Sequence, residues 1–162
     1  MNADAFRHFY DYHFFENRKV WDTYVPQLSD EQFTQAADYS HGSVRDQLIH
    51  LIDVDEAWFS DLRGIAPSES DEPVVLTDRE SIRARWDQVE HDMRGYLAAL
   101  RDDMLLEKPF TEGEDNNLIL WQVLLHVVNH GTDHRAQILR LLNDLGLETT
   151  WQDYIFYVYG HP

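Results

Sequence analysis

Three histidines at four-residue spacing, His126, His130 and His134, lie in the apolar segment LWQVLLHVVNHGTDHRAQILRLL. If that segment is helical, their imidazoles project from one side within a turn of each other. Two imidazoles at i and i+4 can take adjacent positions on one divalent cation. A third from another element leaves a position for water or substrate, the arrangement of a catalytic metal site. His50 is the candidate third ligand.

A helical wheel separates the three. Leu120, Val123, Leu124, Val127, Gly131, Ile138, Leu142 and Leu145 define the buried direction of the fourth long helix. His134 falls roughly 50° from that direction, His130 roughly 90° and His126 roughly 130°. The inner pair is therefore His130 and His134, with His126 at the outer edge. His50 occupies a similar edge on the second helix, whose stripe is Val44, Leu48, Leu51, Ile52, Asp55, Trp58, Phe59 and Leu62. Two such edges facing each other would share an ion.

The elements that must position these residues follow from apolar spacing. Phe6 to Tyr24 carries the i, i+3, i+4, i+7 pattern of a first helix, and His13 and Asn17 lie inside its apolar stripe. An unpaired polar group there costs about 1–3 kcal/mol, so each needs a partner or a wet pocket to line. Ser29 is placed to cap a short helical turn. Ser43, with Asp46 three residues on, resembles a capping box for the second helix, which Gly64 stops. IAPSESDEPVVL reads as a long crossover loop. Thr77 and Glu80 open a third helix running through Met104 and ending before Pro109, and Asn116 or Asn117 caps the fourth, which Gly146 ends. The expected architecture is all-α: one domain over residues 1–162, a four-helix bundle with a long crossover loop and a short aromatic C-terminal helical tail, WQDYIFYVYG.

Composition narrows the function. Thirteen Lys+Arg against thirty Asp+Glu give a net charge of −17, a field that repels nucleic-acid phosphates and anionic lipid surfaces. No apolar run reaches the roughly 18 residues of a membrane span, and the N-terminus lacks the apolar centre of a secretory signal, so a cytoplasmic protein is expected. There is no cysteine, so thiolate ligands and a cysteine nucleophile are excluded. HEXXH, GXSXG, a Walker loop and a Gly-rich dinucleotide turn are all absent. Asp53, Asp55, Glu56 and Asp133 are candidates to accept imidazole N–H bonds, while His8, His41, His91 and His161 read as solvated.

GSVRDQLIHLIDVDEAWFSDLRG resembles the second helix of the DinB/YfiT-like superfamily of small bacterial four-helix bundles, with the family's histidine at His50. LLHVVNHGTDHRAQILRLL resembles the family's NHGxxHRxQ segment, and Asn17 matches a helix-one asparagine common in that pattern. The resemblance covers nearly the whole chain. It implies an open three-histidine site of His50, His130 and His134, the same inner pair that the wheel selects. It further implies nickel or zinc, homodimers, and in some members transfer of a low-molecular-weight thiol to an electrophile or isomerisation of a thiol adduct. His13, Asn17 and His126 are then candidate pocket-lining residues. The expected activity is metal-dependent thiol transfer. Metal-dependent hydrolysis and non-catalytic metal binding in a stress-related protein are the alternatives.

Overall fold

The computed structural model describes residues 1–65, 76 and 78–160, and among these every regular element is helical. Six α-helices run in order: α1 (Ala3–Lys19), α2 (Asp30–Thr34), α3 (Val44–Leu62), α4 (Arg79–Ala99), α5 (Leu120–Asp144) and α6 (Tyr154–Val158). No helix among the described residues is long and apolar enough to cross a membrane. The crossover segment from residue 66 to 75, Thr77 and His161 lie outside the described residues.

Local chemistry explains most boundaries. Ser29 and Gln32 form a reciprocal capping box at α2: the Ser29 hydroxyl accepts from Gln32 N–H at 3.1 Å, and Gln32 Oε1 accepts from Ser29 N–H at 3.0 Å. The Ser43 hydroxyl likewise accepts from Asp46 N–H at the start of α3, and itself donates to the Asp46 carboxylate at 2.7 Å. Gly146, at φ +92°, closes α5, with Leu147 N–H returning to Leu142 O at 3.0 Å. After α1 the chain rewinds into a wider π turn, Val20–Tyr24, which buries Val20, Trp21 and Tyr24 together.

Three sequence expectations change. The cap of α4 is Asp78, whose carboxylate accepts from Ser81 N–H at 2.8 Å. That helix stops at Ala99 instead of running through Met104, because Leu100 turns extended and Asp102–Leu106 forms a separate 3-10 turn. Neither Asn116 nor Asn117 caps α5. Both belong to a 3-10 turn of their own, Asn117 accepts from Lys108 Nζ, and the first turn of α5 is served by Gln122 Oε1, which accepts from Ile119 N–H at 3.0 Å.

By contacts the chain divides into two compact units. The first comprises Met1–Arg7 and Ile52–Val127. In it Arg7 Nη1 donates to the last carbonyls of α4, Leu97 O and Leu100 O, both at 2.9 Å, which satisfies a helix C-terminus with a cation. Arg85 of α4 pairs with Asp53 and Glu56 of α3, and Phe59 meets Tyr96 edge to face. Phe6, Ile82, Met93, Val123 and Leu124 are buried here.

The second unit comprises His8–Leu51 and Val128–Pro162. The aromatic tail packs on α1 within it: the α6 rings of Tyr154 and Tyr157 meet His8, Phe9, Tyr12 and Phe15. Tyr24 OH bonds Thr150 through both its hydroxyl and its backbone N–H. Tyr10, Phe14, Phe33, Leu48, Leu51, Ile138 and Leu142 are buried. Because Leu48 has no solvent exposure, Leu48→Ala should lower the unfolding free energy by about 2–5 kcal/mol in urea titration. A loss under about 1 kcal/mol would contradict that burial.

Candidate metal centre

All the histidines that the sequence points to as ligands fall in the second unit. His130 and His134 are one turn apart on α5, with ring centroids 4.3 Å apart. His50 comes from α3, with its ring 5.2 Å from His130 and 4.6 Å from His134. The gradation read from the helical wheel is present in the burial: His134 is buried, His130 half-buried and His126 exposed. His126 lies in the first unit, where its ring meets Trp58 at 5.3 Å.

A fourth imidazole joins the cluster. His41, in the turn between α2 and α3, is exposed but not merely solvated, since its ring stacks on His50 at 3.6 Å and 16° and lies 5.3 Å from His134. The backbone is left-handed on both sides of it, at Ser40 (φ 52°) and at Gly42 (φ 92°), a conformation rarely adopted by serine. One nitrogen from each of His41, His50 and His134 lies within 4.8 Å of the other two. Nitrogens on a tetrahedral ion sit about 3.4 Å apart, so closing this set on one cation requires the His41 ring, stacked on His50, to reorient. The donor set is all imidazole, which suits zinc, nickel, copper or iron(II) and not magnesium or calcium.

The lone pair of His134 is oriented from behind. Gln47, buried on α3, places Oε1 3.4 Å from His134 Nδ1. In this orientation the Gln47 carbonyl is positioned to accept from Nδ1–H, the tautomer that leaves Nε2 as the donor atom. Burial, and then the neighbouring His41, hold the His134 pKa below the ordinary histidine value, against a smaller upward pull from Asp133. His134 thus keeps its lone pair further into the acid range than an exposed histidine. Gln47 Nε2 is itself buried with no hydrogen-bond partner among the described residues.

Behind the cluster, Arg135 is fully buried. Its Nη1 lies 2.8 Å from Asn17 Oδ1 and 3.1 Å from His13 Nδ1, its Nη2 donates to Thr132 Oγ1 at 3.2 Å and its Nε to Gln152 Oε1 at 3.0 Å. The Tyr12 ring stands 5.7 Å from the guanidinium carbon. Asn17 Nδ2 is 3.1 Å from His13 Nε2, so these two residues of the first helix have side-chain partners. The buried Glu16 carboxyl has its pKa raised by desolvation, offset in part by Lys19 and Arg135. Gly131 is where this network comes closest to α5: a Cβ there would fall 2.4 Å from His13 Cε1 and 3.0 Å from Arg135 Nη1.

Of the acids named as acceptors, three have other side-chain partners. Asp53 and Glu56 hold Arg85, and Asp133 accepts from Gln137 Nε2 at 3.0 Å. Asp55 is buried in the first unit. The acceptor that does face His134 is an amide, and its signal was in the sequence: Gln47 completes the spacing Val44, Gln47, Leu48, Leu51 on a buried face. Arg135 sits in the same way between Gly131 and Ile138. His41 had no such signal, because no helical period runs through its turn.

The described residues are all-α, and imidazoles from α3, α5 and the turn before α3 gather into a cluster whose neutral nitrogens could hold a transition metal. The DinB family model matches residues 1–161, and Protein DinB of Bacillus subtilis (strain 168) is 25% identical over 167 residues, spanning 98% of this chain and 96% of that protein. The chain belongs to the DinB family.

Two substitutions and one control test the site's construction. Gly131→Ala drives a methyl into the locked His13 ring and should cost about 1–3 kcal/mol, whereas Gly95→Ala, in α4 with open space around it, should gain about 0.4–1 kcal/mol. Equal shifts in thermal unfolding would refute the close approach. Gln47→Leu removes the acceptor behind His134 and should weaken zinc binding about 10–100-fold in chelator competition. An unchanged affinity would mean that His134 needs no orienting partner.

Proposed function

We propose that this chain is a metal-dependent transferase that moves a low-molecular-weight thiol onto an electrophilic carbon, with zinc or nickel held by His50, His130 and His134 of a four-helix bundle. The observation that supports this reading is the meeting of imidazoles from α3 and α5, with ring centroids 4.3–5.2 Å apart. Neutral ligands leave a divalent ion its full charge. Bound there, such an ion supplies Lewis acidity that favours the deprotonated form of a thiol or of water.

The chain's own residues account for the rest. Gln47 Oε1 is placed to accept from His134 Nδ1–H, and burial lowers the pKa of that ring. Arg135, fixed by His13, Asn17, Thr132 and Gln152, holds α5 in the rotation that presents His130 and His134 together. The chain contains no cysteine, so the reacting sulfur has to arrive with the substrate. In the transfer a sulfur–carbon bond forms, the thiol proton passes to solvent, and the electron pair released at carbon goes to the electrophile's leaving group or adjacent π system.

Elemental analysis of untagged protein should find one transition ion per chain in the parent and in His126→Ala, and loss of that ion in His134→Ala. Retention by His134→Ala would remove the basis of the site. Turnover of electrophiles should require added thiol. Hydrolysis of an ester or amide without any thiol would replace transfer with the hydrolase reading.

A further inference from the structure

His41 is the one member of the cluster that comes from a turn. Its ring lies on the solvent side, stacked on His50, while one of its nitrogens shares the 4.8 Å neighbourhood with those of His50 and His134. Coordination through a ring nitrogen places the ion close to the ring plane. Two rings 3.6 Å apart and 16° from parallel cannot both satisfy that with one ion, so His41 must swing off His50 before it can coordinate. It has room to do so, since the ring is exposed and lies at a tilt of 52° to His134.

The turn fixes where that ring can reach. Gly42 N–H donates to Tyr39 O at 3.0 Å, Ser40 and Gly42 both hold positive φ, and Ser43 immediately caps α3. A left-handed serine persists when its surroundings over-determine it, and such residues concentrate at ligand clamps and switches. His41 is thus carried on a short, sharply bent tether that begins one residue after Ser40 and ends at a helix cap.

We propose that His41 is an exchangeable fourth ligand. It would alternate between the stack on His50 and the coordination position left vacant by the three ligands on α3 and α5, so that the metal centre caps itself and an incoming ligand must displace it. This rests on the proposed three-histidine site and adds regulation of access to it. The cap lowers apparent affinity for any exogenous ligand by the fraction of molecules in which His41 is off the ion.

Cobalt(II)-loaded full-length parent and His41→Ala make the test, with the visible d–d spectrum as readout and two probes, imidazole and 2-mercaptoethanol. His41→Ala should keep one cobalt per chain and show altered d–d band positions and intensities. It should bind imidazole at least about tenfold more tightly than the parent, because no internal ligand competes. Superimposable spectra with imidazole affinities within about twofold of each other would overturn the proposal. If imidazole discriminates as expected while 2-mercaptoethanol gives no sulfur-to-cobalt charge-transfer band in either protein, self-capping stands and thiol transfer falls. A parent that takes up no cobalt sinks both.

Discussion

The second unit is organised around the burial of one cation. A guanidinium removed from water is very costly unless its donors are met, and Arg135 meets them with groups from several directions: Asn17 and His13 on α1, Thr132 one turn back on α5, and Gln152 in the tail. Gln152 is tied in turn, donating to Thr132 O at 3.1 Å and accepting at its own carbonyl from Tyr12 OH. Such a network has little tolerance for rotation of α5. Because Arg135 directly follows His134, fixing one largely fixes the direction of the other. The absence of a side chain at Gly131 is part of the same constraint, as it lets the His13 ring reach the helix surface.

Electrostatics divides the molecule between a strongly acidic exterior and a neutral nitrogen cluster. The net charge of −17 raises the local concentration of cations and repels anions, whereas the imidazoles add no compensating negative charge of their own. A cation is thus drawn toward the protein by long-range field, and the proposed site would retain it by short-range donor chemistry. The same field disfavours multiply anionic substrates, which fits a small thiol and an uncharged electrophile better than a phosphorylated metabolite.

Much of this was legible in the chain because helical period is a local property. The stripes of the long helices, the Ser29 and Ser43 caps, the Gly64 and Gly146 stops and the order of burial His134, His130, His126 all follow from 3.6 residues per turn and from backbone groups that need partners. Errors arose where capping groups compete over a few residues: Asp78 caps α4, Leu100 ends it, and Asn116 and Asn117 turn away into a 3-10 turn. Gln47 and Arg135 were readable only as polar residues at helical positions that fall on buried faces.

The sequence by itself supplied the candidate ligands, a histidine pair one turn apart and a third on another helix with no thiol, and the polar groups set into apolar stripes that had to find partners. Only tertiary structure decided what those partners are. That Gln47 rather than a carboxylate faces His134, that His13 and Asn17 clasp Arg135, and that His41 returns from its turn onto His50 are all long-range juxtapositions. The physical reason is that periodicity fixes the face a side chain points from, while the neighbour it meets is set by backbone segments more than eighty residues apart in three of these four side-chain contacts, Gln47–His134, His13–Arg135 and Asn17–Arg135, and by a left-handed bend in the last.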